Sequence, residues 1–312
     1  MISRRHFMIS ALGAGAGIVT QGCQQMTAQP ATRRVIVDSQ VHLWTAETPE
    51  WRWVPGVTPH LPEPFTIEKL LPMMNEAGVD RVVVVPPSWP GYRNDYGLEA
   101  ARRYPARFAV MGRINLRNQQ SAALVHAWKN QPGMLGFRLT FNTAATAPLL
   151  TNGTSDWFWP AAEIAGLPVM CHAPGLGPQM AHIAERHPQL TLIIDNMGLS
   201  QSLQSVQGDH TAELIAHTLS LSKFPNVSVK CSSVANHSAE DYPYRDMAIH
   251  IRRIFDAFGP RRCHWGSDMT RALTKATYRQ RVTHFTETLD FLSEEDKDWI
   301  MGRSLLARLN WA

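Results

Sequence analysis

The sequence predicts a single-domain (β/α)8 barrel, and three observations carry the prediction. Short apolar, β-branched segments alternate eight times with helix-patterned ones. The apolar segments are nearly continuous in character, as strands covered on both faces are. Three of them lead straight into a His or an Asp: Ile36-Val37-Asp38-Ser39-Gln40-Val41-His42-Leu43-Trp44, Leu167-Pro168-Val169-Met170-Cys171-His172 and Cys263-His264-Trp265-Gly266-Ser267-Asp268. The C-terminal ends of strands are where barrels of this class carry their chemistry.

Taken in order, the first strand is expected at 35–38. A helix at 67–77, stopped by Gly78, precedes the second strand at 81–86. Helices at 96–104, 121–130 and 157–165 precede strands at 108–114, 134–139 and 167–172. Helices at 179–187, 211–221 and 247–258 precede strands at 191–196, 227–231 and 263–266, and a last helix is expected at 294–309. No low-complexity tract or Gly/Ser linker divides residues 35–312, which suit one barrel domain in length.

Residues 1–34 read as a twin-arginine export signal and linker. Ser3-Arg4-Arg5-His6-Phe7-Met8 supplies the arginine pair, and the apolar stretch at 9–19 is too short to span a bilayer as a stable helix. The expected destination is the periplasm, with no membrane attachment after cleavage. Thr20 and Gln21 fit a lipoprotein box poorly, so anchoring at Cys23 is not expected. The same segment holds the excess charge. The chain is +4, with 30 basic and 26 acidic residues, and 1–34 contain Arg4, Arg5, Arg33 and Arg34 but no acid. The remainder is balanced, which argues against nucleic acid as a partner. A small-molecule substrate is the expected partner, and a homo-oligomer is left open. Cys171, Cys231 and Cys263 read as buried free thiols, not a disulfide framework.

In the predicted barrel, the polar residues at the strand ends converge on one mouth. These are Gln40, His42, Arg138, His172, Asn196, Lys230 and Asp268, with Arg93 and Arg271 in the loops after strands two and eight. Trp51, Trp53 and Trp89 lie in the first two of these loops, where they can wall a pocket or pack as core. His60 and the histidines in helix patterns are assigned no chemistry. Cys171 adjoins His172 on a strand and so faces the other side of the sheet. No phosphate-binding Gly loop, CxxC pair or GxSxG elbow is present.

Several segments together resemble the amidohydrolase superfamily in its amidohydrolase-2 branch. They are Val37 to Trp44, Tyr104-Pro105-Ala106-Arg107-Phe108, Gly136-Phe137-Arg138-Leu139, Cys171-His172, Ile194-Asp195-Asn196-Met197-Gly198, Asn226 to Lys230, and Ala257-Phe258-Gly259-Pro260 through Trp265-Gly266-Ser267-Asp268. That branch holds sugar lactonases, pyrone-dicarboxylate and sulfomuconolactone hydrolases, and aromatic-acid decarboxylases. The chain departs from it twice. Gln40 stands where His-x-His usually opens strand one, and Asn196 follows Asp195 where a His is common. Both changes remove an imidazole, and an amide oxygen is a weak zinc ligand. The resemblance also makes a metal dispensable, since the dicarboxylate lactone hydrolases of the branch work without one. The reading is therefore metal-free, with one zinc or manganese on His42, His172 and Asp268 as the alternative.

The implied reaction is hydrolysis of a small, anionic lactone. Asp268 would take a proton from water, while His172, His42 and Gln40 polarise the carbonyl. Arg138 would hold a carboxylate or sulfonate. Asn196 and Lys230 would orient substrate or support Asp268, and Arg93 and Arg271 would add positive charge. Two alternatives keep the fold: a metal-dependent decarboxylase of an aromatic or unsaturated acid, and a degenerate barrel that only binds a ligand.

Overall fold

The computed structural model describes residues 33–200 and 209–312. Eight parallel strands follow in chain order: β1 (Val37–Val41), β2 (Arg81–Val84), β3 (Phe108–Gly112), β4 (Met134–Thr140), β5 (Val169–His172), β6 (Leu192–Ile194), β7 (Val227–Ser232) and β8 (Cys263–Gly266). Past the paired strands the ring is drawn together by an isolated bridge between Val41 and Met269, with His42 N donating to Met269 O at 3.1 Å. The fold is the predicted (β/α)8 barrel.

The helices are α1 (Ile67–Ala77), α2 (Asp95–Arg103), α3 (Ala122–Ala127), α4 (Phe158–Ile164), α5 (Gly177–Arg186), α6 (Asp209–Leu219), α7 (Val234–His237), α8 (Arg245–Phe258), α9 (Tyr278–Thr283), α10 (Glu294–Asp298) and α11 (Ser304–Leu309). Local chemistry explains the ends of α1. The Thr66 side chain accepts from Lys69 N, and Gly78 turns out at φ 75°. Ile67, Leu70, Met74 and Ala77 form its buried stripe.

Strand β6, expected to reach Asn196, stops at Ile194, so Asp195 and Asn196 lie in a 3-10 turn past it, and three further elements differ from expectation. β1 lies further along, so Gln40 is a strand residue and His42 is the first residue past the strand. Apolar character marked the run, but pairing with β2, which begins at Val37 opposite Arg81, sets its bounds. The third helix is broken into a short α-turn flanked by 3-10 turns at Gln119–Ser121 and Trp128–Asn130. The last helix is interrupted by a π-turn, Trp299–Arg303, where Gly302 passes so close to Val35 O that any Cβ would collide. The short helices α7 and α9 had no distinct sequence signal. The expected export leader, with Arg4, Arg5 and Cys23, lies outside the described residues.

Two apolar layers result. The larger lies between strands and helices and includes Cys171, as its alternation predicted. The smaller fills the barrel axis with Val37, Val83, Val85, Met111, Met170 and Ile193, against Leu305 and Leu309 of α11. One end of the barrel is thus packed shut, and the polar strand ends gather at the other. Cys171, Cys231 and Cys263 are free and buried.

Candidate active site

Asp38 builds the frame of the site. Its Oδ1 accepts from Gln40 N at 3.0 Å and Ser267 N at 2.8 Å, and its Oδ2 accepts from Tyr278 Oη at 2.7 Å. One buried carboxylate therefore ties β1 to the turn after β8, where the sheet ladder is weakest. Gly266 lets the strands approach there, because a Cβ would strike Ser39 Oγ and lie 3.1 Å from Ser232 Cβ.

From this frame a chain of contacts crosses the barrel. Lys230, fully buried, pairs with Asp195 Oδ1 at 2.9 Å and donates to Gln40 Oε1. An ammonium can only donate, so the Gln40 amide must turn its oxygen to Lys230. Its Nε2 then donates to Asp268 Oδ1 at 2.8 Å. His42 Nε2 stands 3.1 Å from the same oxygen, while His42 Nδ1 is 2.8 Å from Val85 O. The carbonyl only accepts, so Nδ1 carries a proton, and the Nε2 contact shares another with the carboxylate. Arg138 donates through Nε to Asp195 Oδ2 at 3.2 Å and through Nη1 to Thr140 Oγ1 at 2.6 Å. Lys230 was expected beside Asp268 or the substrate. Its ion pair is with Asp195, and Gln40 links it by hydrogen bonds to Asp268.

The electrostatics follow. Burial pushes the Asp268 carboxyl up, but the hydrogen bond and charge of His42, with Arg271 beyond, hold it well below the usual carboxylate range. Asp195 is likewise held low against its burial by Lys230 and Arg138. Burial, reinforced by the Arg138 charge, pushes His172 down to about 3, so its ring is neutral. Neither His172 nitrogen has a hydrogen-bond partner among the described residues. Asn196 accepts from Ser232 Oγ at 2.6 Å through Oδ1, leaving its buried Nδ2 without a partner. Backbone strain gathers at the same strand exits: Asn196 (φ 53°), Ser233 (φ 64°) and Asp268 (φ 51°) are all left-handed.

Of the sequence-predicted residues, Gln40, His42, Arg138, Lys230 and Asp268 join in this network through Asp195, whereas His172 and Asn196 stand at the exits of β5 and β6 without a bond to it. Arg271 lies close enough for its charge to act on Asp268. Arg93 is placed elsewhere: it is exposed, ion-paired to Asp95, bonded to Glu50 O at 2.8 Å and stacked 5.3 Å over Trp51. Trp89 packs edge-on to Trp44 at 4.9 Å and to His60 at 4.8 Å.

Besides Asp38, Tyr278 and Asp195, sequence reasoning missed three further residues. His60 stands 5.2 Å from the His42 ring and bonds Thr270 Oγ1 at 2.9 Å. His237, on α7, is buried with both ring nitrogens unpartnered among the described residues, and burial pushes it down to about 4. Arg113 follows β3 directly, and its Nε and Nη1 are buried without partners. A loop histidine and a charged residue past a weak strand carry no periodic signal that would have marked them.

A divalent metal fits this arrangement poorly. His172 and Asp268 offer lone pairs, but His42 Nε2 is committed to Asp268 Oδ1, and Gln40 and Asn196 turn N–H groups toward the site. The buried Lys230 ammonium adds a competing cation, and among the described residues no cluster of three or more His, Cys, Asp or Glu is arranged to hold a metal.

A profile of the amidohydrolase family matches residues 37–303. An L-fucono-1,5-lactonase of Burkholderia ambifaria is 24% identical over 245 residues, covering 74% of this chain and 79% of that one. An amidohydrolase of Burkholderia multivorans, solved with bound zinc, superposes with a TM-score of 0.74 at 20% identity, over 88% of this chain and 99% of its own. A protein of Acinetobacter baumannii, described as a probable 2-pyrone-4,6-dicarboxylic acid hydrolase with citric acid bound, does so at 0.68 and 19%, over the same shares. The chain belongs to the amidohydrolase family.

Proposed function

We propose that this protein hydrolyses a small anionic lactone. The observation that carries the reading is a buried, ionised Asp268 at the same barrel mouth as two N–H donors that lack partners among the described residues, the neutral His172 ring and Asn196 Nδ2. Asp268 takes a proton from water as the water oxygen bonds to the lactone carbonyl carbon. His172 and Asn196 donate to the carbonyl oxygen as it becomes an oxyanion. Collapse of the adduct breaks the ring C–O bond, and the proton held by Asp268 passes to the departing alkoxide, giving the hydroxy acid. Gln40 and His42, expected to polarise the carbonyl, instead hold Asp268 in place. Arg138 and Arg271 supply the positive field that favours an anion. The lactonase relative at 24% identity supports the reaction type. The N–H groups of Gln40 and Asn196, with the Lys230 ammonium, support a route without metal.

The test is a panel of neutral and carboxylate-bearing lactones with wild type and Asp268→Asn, before and after chelation. We expect hydrolysis that survives chelation and falls ~10²–10⁴-fold in the variant. Hydrolysis lost on chelation and restored by zinc or manganese overturns the metal-free route. Release of carbon dioxide from an aromatic acid, with every lactone left intact, turns the assignment to a decarboxylase. Export by the twin-arginine route is part of the same proposal, and full-length, uncleaved protein confined to the cytosolic fraction counts against it.

A further inference from the structure

We propose that Arg113 and Tyr92 form a separate anion subsite, which takes a carboxylate or sulfonate borne by the substrate ring on its β3–β4 side. This rests on the reading of the site as one for a cyclic, acidic substrate. Gly112, the last residue of β3, pairs with Phe137 of β4, so Arg113 is set beside Arg138 at the open end of the barrel. The backbone of Arg113 is pinned from both sides by one side chain. Asn94 Oδ1 accepts from Arg113 N at 2.7 Å, and Asn94 Nδ2 donates to Arg113 O at 3.0 Å. The backbone at Arg113 is thus fixed without using the donors of its side chain.

Two of those donors have no partner among the described residues. Arg113 Nε and Nη1 are buried and make no hydrogen bond, and among the described residues no carboxylate pairs with the guanidinium. Its neighbours are the Tyr92 ring, 6.0 Å from Cζ, and the like charge of Arg138. Burial and Arg138 pull the group down to about 10, which still leaves it charged at neutral pH. Arg138 spends two of its nitrogens on Asp195 and Thr140, so it cannot grip an anion alone with its whole fork. A buried charge without a counter-charge destabilises a fold. An anion laid between Arg113 and Arg138 would satisfy the open donors and relieve the repulsion at once. A planar acid fits a guanidinium fork edge-on, with Tyr92, 45% exposed, at the rim.

The test uses the full chain, the rigid diacid isophthalate and the neutral benzamide as probes, and calorimetric titration plus thermal unfolding. Wild type should bind isophthalate; Arg113→Met should weaken it about ten- to a hundredfold, and Arg113→Lys should recover part of the loss. Benzamide binding should be the same in all three. Without ligand, Arg113→Met should melt at or above the wild-type temperature, because an uncompensated charge is gone. Equal isophthalate affinity in Arg113→Met overturns the subsite, as does wild type that does not bind isophthalate. A lower melting temperature in Arg113→Met with parallel loss of both probes assigns the residue a structural role and also overturns it. If no lactone is hydrolysed but charge-selective binding depends on Arg113, the reaction falls and the subsite stands.

Discussion

Mild acid should destabilise this protein, and four buried histidines set the scale of the effect. His172, His237, His264 and His284 are all at most 4% exposed, and burial pushes them down to about 3, 4, 3 and 4 respectively. Geometry gives the same answer. His264 Nδ1 donates to Ser304 Oγ at 2.7 Å, because the Ser304 proton goes to Cys263 O. His284 Nδ1 faces Thr288 Oγ1 at 3.0 Å, and the Thr288 proton goes to His284 O. In His264 a second proton would sit on an Nε2 with no acceptor among the described residues, while in His284 the Pro243 backbone offsets only part of the burial. Folded pKa values below the unfolded one mean that stability is fully present above about pH 6.5 and is lost as pH falls toward the folded values. Near pH 5 the unfolded chain binds nearly four more protons at these positions, a slope of roughly 5 kcal/mol per pH unit. Between pH 7 and 5 the loss is about 7 kcal/mol, against ~5–15 kcal/mol for a whole domain. Urea midpoints followed by tryptophan fluorescence at pH 7, 6 and 5 measure it, and His264→Gln should reduce the slope by ~1.3 kcal/mol per pH unit. Equal midpoints at pH 7 and 5 would refute the reasoning, since the rings would then be accepting protons inside the fold.

Two substitutions probe the frame. Lys230→Met leaves Asp195 with Arg138 alone and should destabilise by ~3 kcal/mol, the low end for breaking a buried pair, with Asp195→Asn in the same chain restoring part of it. Strict additivity of the two in urea unfolding would show that the pair is not coupled. Gly266→Ala drives a Cβ into Ser39 Oγ at the β1–β8 seam, so soluble yield and melting temperature should both fall; a variant with wild-type melting would show that the seam has slack.

The candidate site was legible to the extent that it lies on strand ends. His42, His172 and Asp268 each follow an apolar run, and the alternation of strands and helices placed them at one mouth. Arg138 and Lys230 are inward residues of β4 and β7, so the same reasoning reached them, although not their common partner Asp195. That carboxylate sits one residue past β6 and was read only as part of a motif. Asp38 was hidden for a similar reason: a strand carboxylate has no periodic mark, and its three acceptor contacts come from residues 2, 229 and 240 positions away. Arg113 and His237 follow elements whose sequence signals were weak or absent.

By itself the sequence determined the barrel, its single domain and which strands end in ionisable groups. Periodicity and strand ends are local properties, and they survive without knowledge of neighbours. Only the tertiary structure decided which way the Gln40 amide faces, that Lys230 neutralises Asp195 while steering Asp268 through Gln40, and that Arg113 has no counter-charge among the described residues. Those outcomes depend on donors and acceptors brought together from distant strands, where each proton has one place to go and burial makes a wrong pairing expensive.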